Sequence, residues 1–451
     1  MSKQRIQLSD HFTYSRLLRF VLPCIGTMLF TSIYGIVDGL CVSNFVGKTA
    51  FAAVNLIMPL PMLLGTIGFM LGTGGSAIVG ITLGEGDQKK ADRYFTLFLL
   101  AALVSVSVLA VLGIVFLRPI AVLLGAKGEL LDYAVRYGRI LMVSLPTFAL
   151  QNMFQSFFVT AEKPHLGFWF TVGAGCTNMV LDVLMVGIWG WGVEGAAIAT
   201  FISQLVGGVL PVFYFIDRSN SSRLHLCKTS FYSKVLRDAC INGSSELMTN
   251  LSMSLVNILY NYQLLRLAGE NGVAAYGVIM YAAFLFVAVF VGYAVGSAPI
   301  VSFHYGARNH AEVHNLYRKS LRLIAVVAVT LTLASMFIIP CVARIFVGYD
   351  AELLALTSRA FRLYALSFLI MGFNVYASSF FTALGDGVTS ALISFLRTLL
   401  FQLLALIFLP MVLGIEGVWL AVTAAEAGAL CVTGLMFITK DNVFHYRKAS
   451  C

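Results

Sequence analysis

The stretch that decides the reading is Gly192-Val-Glu-Gly-Ala196, because the chain writes nearly the same phrase again as Gly414-Ile-Glu-Gly-Val418. The offset of about 222 residues recurs elsewhere, as a duplication requires. It carries Gly74 to Gly296, Ser76 to Ala298, Gly84 to Gly306, Asn152 to Asn374 and Thr160–Ala161 to Thr382–Ala383. Pro119 and Pro340 match with a one-residue slip. A duplicated, mostly apolar chain implies two structural repeats in a membrane, with a site between or inside them. Positions where the two copies differ are then the places to look for chemistry.

Composition names the solvent. Of 451 residues 59% are hydrophobic and only 11% charged, and the mean hydropathy is +0.88. That is far from a soluble domain. Apolar spans are expected near 17–42, 50–80, 94–117, 133–160, 165–188, 193–216, 239–267, 272–303, 318–340, 356–383, 388–411 and 415–438, each long enough for one bilayer crossing. The fold class expected is therefore all-α and integral to the membrane, with twelve transmembrane helices in two pseudo-symmetric six-helix lobes. The first apolar stretch runs on to Cys41, too long for a cleavable signal.

The formal charge of +9 invites a nucleic-acid reading, and its placement refutes it. Loops on one side carry about 20 Lys and Arg against about 9 on the other, the bias that sets membrane orientation. The ends and the even-numbered loops are basic, so both termini are expected in the cytoplasm of a cell (inner) membrane. The one long polar stretch, Asp217 to Arg237, divides the chain. The division expected is an N-lobe at 1–216, a cytoplasmic linker at 217–238, a C-lobe at 239–438 and a cytoplasmic tail at 439–451. Six spans per half make the repeats parallel, related by an axis along the membrane normal.

Several patterns carry no chemistry. The eight cysteines (Cys24, Cys41, Cys176, Cys227, Cys240, Cys341, Cys431 and Cys451) contain no CxxC and read as small apolar packers. His310 and His314 are four apart, without the further ligands a metal centre needs. Gly72-Thr-Gly-Gly75 lacks the Lys-Ser/Thr of a phosphate loop and lies in a span, where helix packing explains it. Glu194 and Glu416 read as helix-start residues beside a positive helix end.

Ionisable residues inside spans are costly unless paired, neutralised or hydrated, so each is a site hypothesis. Asp38 lies in span 1 with Tyr34 one turn before it, and Asp182 lies in span 5 with Asn178 one turn before it. Each pair shares a helix face. Two acids in one pocket can share a proton or hold Na⁺. Their second-copy counterparts are Tyr260 and Leu404, so the acid pair belongs to one lobe. The other lobe carries Glu246, Arg397 and Glu426 where the first has Cys24, Gly175 and Gln204. Arg397 with Glu426 is expected as a structural ion pair. Glu246 has no cation near it in sequence and is a candidate substrate contact or second proton site.

The chain also resembles a known family. Tyr34-Gly-Ile-Val-Asp38, Phe45-Val-Gly47, Ala52-Ala-Val-Asn55 and Pro59 look like the first two helices of the multidrug and toxic compound extrusion (MATE) transporters. So do Gln155-Ser-Phe-Phe-Val-Thr-Ala-Glu-Lys-Pro164, Asn178-Met-Val-Leu-Asp182 and Gly190-Trp-Gly-Val-Glu-Gly-Ala-Ala-Ile-Ala-Thr200. The resemblance covers essentially the whole chain. It implies a multidrug-efflux antiporter, a xenobiotic transporter of the plasma membrane, that exchanges amphipathic or cationic small molecules for H⁺ or Na⁺ and needs no other cofactor. It also implies an N-lobe cation site at Asp38, Tyr34, Asn178, Asp182, Asn152 and Thr200. A C-lobe site of the kind some members use is matched by Glu246, but span 10 offers Asn374 where an Asp would stand.

No nucleophile–base or metal constellation points to an enzyme, and a monomer is the expectation. The rival reading is a lipid-linked or metabolite flippase or exporter of the same superfamily, for which Arg397 is the one supporting charge.

Overall fold

The computed structural model describes residues 6–46, 48–348 and 350–447, and every element among them is helical. Lys3, Arg5, Gly47 and Cys451 lie outside the described residues, as does the side chain of Cys41. The first half holds α1 (Tyr14–Phe45), α2 (Pro59–Gly84), α3 (Gln88–Leu123), α4 (Glu129–Thr160), α5 (Pro164–Asp182) and α6 (Gly192–Gly208). The α5 helix continues into a π-helical turn, Val183–Ile188, and α6 into Leu210–Ile216. After the connecting helix Ser233–Asn242 comes Ser244–Gly306, broken at Gly269 by φ 60°, ψ −149° into α7 and α8. Its 63 residues make two crossings, since about 20 suffice for one. There follow α9 (His310–Val347), α10 (Ala351–Ala365 bent by 47° into Phe368–Ala383), α11 (Gly387–Phe395, continued as Leu396–Leu400 and Phe401–Leu413) and α12 (Ile415–Thr439). Nine described helices are long and apolar enough to cross a bilayer, ten with the bent pair as one span. The second crossing inside Ser244–Gly306 and the more polar α4, with Arg136, Arg139, Gln151 and Asn152, bring the fold to twelve in two lobes.

The decisive phrase has a backbone reason. Gly192 at φ 61° and Gly414 at φ 58° turn the chain into the last helix of each lobe, a conformation that glycine adopts at no steric cost. Three residues on, Gly195 and Gly417 admit a neighbouring turn. A Cβ on Gly195 would lie 3.0 Å from the Trp191 Cβ, and one on Gly417 would lie 2.7 Å from the Pro410 nitrogen. The repeat is equally literal at helix starts. Asp87 caps α3 by accepting from the Lys90 N–H at 3.0 Å, and Asn309, one repeat later, caps α9 by accepting from the Glu312 N–H at 3.1 Å. Each cap satisfies an otherwise orphaned donor.

Apolar faces divide between lipid and core. Val104, Val108, Val111 and Val115 on α3, and Val326, Val329, Leu333 and Phe337 on α9, are exposed along one stripe each. That pattern fits a hydrocarbon solvent. Inside, one aromatic-rich core runs through both lobes at the end bearing the basic loops. It contains Phe154 stacked on Phe215 at 5.5 Å in the first lobe and Phe381 on Phe437 at 5.3 Å in the second. The lobes also meet there through α2 and α8, where Gly80 abuts Ser302 and Gly84 abuts Phe303 and Ala307.

The polar linker is docked rather than loose. Its backbone donates from His225 to Asp92 at 3.0 Å and from Cys227 to Thr96 at 3.1 Å, while the Arg223 guanidinium pairs with Glu162. The connecting helix runs through the expected 238/239 division, and α7 starts only at Ser244. Asn242 at its end donates to the Thr382 carbonyl at 2.9 Å and the Gly74 carbonyl at 3.4 Å, bridging the lobes.

Candidate functional site: two polar centres of unlike charge

The six residues implied by the resemblance, with Tyr137 and Gln204, sit on four helices of the first lobe, but Asn152 stands about 22 Å along α4 from Tyr137 at ~1.5 Å per residue, away from the acid pair. The α1 helix carries Tyr34 and Asp38, α4 carries Tyr137 and Asn152, α5 carries Asn178 and Asp182, and α6 carries Thr200 and Gln204. The α1–α5 approach is close because Gly175 has no side chain. A Cβ there would sit 2.5 Å from Phe30 and 3.1 Å from Tyr34. Asp38 and Asp182 are near enough to interact directly, and Tyr137 stands within electrostatic reach of both.

Asp182 is 0% exposed and Asn178 2%. Among the described residues no donor reaches either Asp182 oxygen, whose neighbour is the Asp38 carboxyl, and Asn178 Oδ1, Asn152 Nδ2 and Gln204 Oε1 have no hydrogen-bond partner. Thr200 donates to the Ala196 carbonyl at 3.0 Å, leaving its oxygen as an acceptor. A buried carboxylate without donors or a counter-charge carries a penalty of several kcal/mol. The oxygens of Asp38, Asp182 and Asn178 therefore suit a proton or a hard cation that binds through oxygen. The helix beyond Asp182 is π-helical, a local widening that recurs at functional sites.

Tyr137 was not legible in the sequence, because no spacing ties span 4 to Asp38. Glu194 and Glu416 do more than start helices. They pair with Arg136 at 3.6 Å and with Arg359, a matched pair of ion pairs at the ends opposite the basic loops.

The second centre is a cavity of about 1140 Å³ between the lobes. The C-lobe supplies most of its wall, including Glu246, Tyr260, Tyr276, Met280, Arg397 and Glu426, and the N-lobe contributes Met28, Thr31, Asn55, Thr73 and Ser76. None of the six N-lobe residues implied by the resemblance lines it. On the basic-loop side the lining stops at Ser76 and Ala298, where α2 and α8 seal together.

The charges in the cavity form a cluster. Glu426, 4% exposed, accepts from Asn374 Nδ2 at 2.8 Å and pairs with Arg397 Nη1 at 3.4 Å. Asn374 is in turn held by Thr433 at 2.9 Å, so the residue standing where an Asp was sought buttresses a carboxylate. Glu246 is not isolated, as its sequence neighbourhood suggested. Arg397, far along the chain on α11, is its electrostatic neighbour. Where the first lobe has Asp38, the second has Tyr260, buried and stacked on Tyr276 at 4.8 Å.

A family model described as MatE matches residues 23–184 and again 247–407, well over half of the chain and once in each half. The chain belongs to the MatE family. Among its relatives, the multidrug export protein MepA of Staphylococcus saprophyticus is 20% identical over 436 residues, spanning 95% of each chain. MepA of Staphylococcus aureus is 21% identical over 433 residues, again 95% of each. Among solved structures, a crystal structure of MATE in complex with MaL6 superposes with TM-score 0.92 at 22% identity, covering 98% of this chain and 100% of that one. An outward-facing multidrug resistance MATE family transporter of the MOP superfamily gives TM-score 0.92 at 23% identity, covering 99% of each. At these identities the structural likeness speaks for the fold, and the MatE family membership makes this chain a multi-pass membrane transporter of small molecules.

Proposed function

We propose that this MatE transporter is a cation-coupled antiporter that exports amphipathic or organic-cationic compounds by alternating access, in exchange for H⁺ or Na⁺. The observation that carries the reading is the fully buried Asp182 carboxylate, which no donor among the described residues reaches and whose neighbour is the Asp38 carboxyl. Such a pair demands a cation. The cavity is separate and carries two Glu against one Arg, which suits a positively charged guest and weighs against a pyrophosphate-linked lipid.

With the basic end in the cytoplasm of the cell membrane, the α2–α8 seal closes the cytoplasmic side, and the state described is outward-facing. The units of the cycle are the N-lobe at 1–216, the linker at 217–238, the C-lobe at 239–438 and the tail at 439–451, in a monomer. H⁺ or Na⁺ arrives at Asp38 and Asp182, assisted by Tyr34, Asn178 and Thr200. Neutralising the pair removes the reason for α1, α5 and α6 to hold their present arrangement, and the cavity releases its guest outside. The loaded protein then rocks inward, loses the ion and rebinds substrate. Coupling requires that ion and substrate favour different states, since a ligand of equal affinity for both shifts nothing. An inward-moving proton gains about 2.3 kcal/mol per 100 mV.

The test is ethidium efflux from energised cells carrying wild type, Asp38→Asn or Asp182→Asn at matched membrane levels, with the H⁺ or Na⁺ gradient collapsed in turn. Efflux lost in both variants supports the N-lobe site, and the gradient whose collapse stops wild type names the ion. Full efflux in both variants removes that site from the mechanism.

A further inference from the structure

The cavity cluster is richer than a single negative anchor. A guanidinium carries five N–H donors in a planar fork that matches a carboxylate. In Arg397, whose side chain is only 12% exposed, the fork makes one long bond, 3.4 Å to Glu426. Its Nε is buried with no partner among the described residues. The other Glu426 oxygen accepts from Asn374, so Glu426 meets the fork through Oε1 alone. In the same cavity lining, no hydrogen bond from a described residue reaches the Glu246 carboxylate, which lies within electrostatic reach of Arg397. One face of the cavity thus shows unmet acceptors and unmet donors side by side, over a floor of Tyr260, Tyr276 and Met280. The first lobe has nothing comparable, for the residue at the Arg397 position is Gly175.

We propose that Arg397 is a specificity residue that reads an anionic group on the substrate, so that this cavity favours amphipathic zwitterions over simple cations. The cationic amine faces Glu246, a carboxylate engages the free side of the Arg397 fork, and the aromatic body lies on the tyrosines. This rests on the export reading above and names the substrate class within it. A site with buried polar groups rejects a ligand that leaves them unpaired. The Leu396–Leu400 stretch that carries Arg397 is π-helical, which gives its side chain a register unlike that of its helical neighbours.

The experiment measures equilibrium binding to the purified full-length protein in lipid nanodiscs. The probes are a tritiated N-arylpiperazine carboxylic acid, which is a zwitterion, and its methyl ester, which is a monocation. Wild type is expected to bind the zwitterion about tenfold to a hundredfold more tightly, the range for a hydrogen bond to a charged group. The variants are Arg397→Lys, which keeps the charge and loses the fork, and the double variant Arg397→Gln with Glu426→Gln, which removes both members of the Arg397–Glu426 pair together. The zwitterion-to-ester ratio is expected to fall severalfold in the first and to approach one in the second. A wild-type ratio near one, or a ratio that both variants leave intact, overturns the proposal. A wild type that exports ethidium yet ignores the carboxylate sinks this inference alone, whereas one that neither binds the ester nor exports ethidium sinks the export reading first.

Discussion

Replacing Gly84 with Ala tests alternating access at its tightest point. Gly84 closes α2 against α8 of the other lobe, and its repeat partner Gly306 faces back across the same crossing. A methyl at Gly84 runs into the Phe303 carbonyl and lies 2.7 Å from the Ala307 nitrogen, while one at Gly306 runs into the Ile81 carbonyl. These obstacles are backbone atoms, which cannot rotate aside as a flexible side chain does. The lobes must separate, or the interface must carry an overpacking cost of about 1–3 kcal/mol. That cost exists only while this end is closed. The open-to-closed ratio should therefore rise about 5- to 150-fold, by the arithmetic of about 1.4 kcal/mol per decade. The assay is electron–electron distance measurement between spin labels at exposed positions Lys89 and Arg318 in a cysteine-free background. Gly84→Ala should convert a minor long-distance population into a major one and depress ethidium efflux. Gly434→Ala is the control, because nothing lies within 4 Å of its Cβ. An unchanged distance distribution in folded Gly84→Ala protein refutes the claim that this crossing is the seal.

Other outcomes follow from the same geometry. Tyr137→Phe removes a hydroxyl within reach of both acids and should raise the coupling-ion concentration at half-maximal efflux about threefold to tenfold, on the scale of one hydrogen bond; unaltered ion dependence excludes Tyr137 from the site. Phe12, 0% exposed and fixed through its N–H to Glu312 at 2.9 Å, straps the N-terminus to the C-lobe, so Phe12→Ala should cost about 3–5 kcal/mol, read as earlier thermal unfolding. Asp386 lies in the loop before α11. Burial pushes its carboxyl up, but the Lys440 ammonium at 2.7 Å and the Thr389 hydroxyl and N–H outweigh burial and hold it below the usual range. A lowered folded-state value means that the stabilisation is present above the unfolded value of about 3.9 and is lost as pH falls below it. Wild type should therefore lose stability on acidification through about pH 4 more steeply than Asp386→Ala, which itself should cost about 1–2 kcal/mol at neutral pH through the lost cap; parallel pH profiles remove Asp386 from that account.

Much of this protein is written in its sequence because the bilayer leaves so few options. Apolar runs of bilayer length must be helices, their basic loops must share a side, and Gly192 and Gly414 must turn the chain at a positive φ that other residues rarely adopt. The repeat therefore exposed twelve helices in two lobes, and the cost of charge in hydrocarbon singled out Asp38, Asp182, Glu246, Arg397 and Glu426. Which of those groups meet was another matter. Helical periodicity places Tyr34 with Asp38, but nothing along the chain brings Tyr137 to the acid pair, since that approach depends on how α4 packs against α5. Only the tertiary structure gives Glu246 its Arg397, turns Asn374 from a missing acid into the support of Glu426, and separates the cavity from the acid pair. The reason is physical. The cost of a single residue in a membrane is local and legible, whereas charge pairing, burial and cavity shape are properties of surfaces assembled from helices that are far apart in the chain.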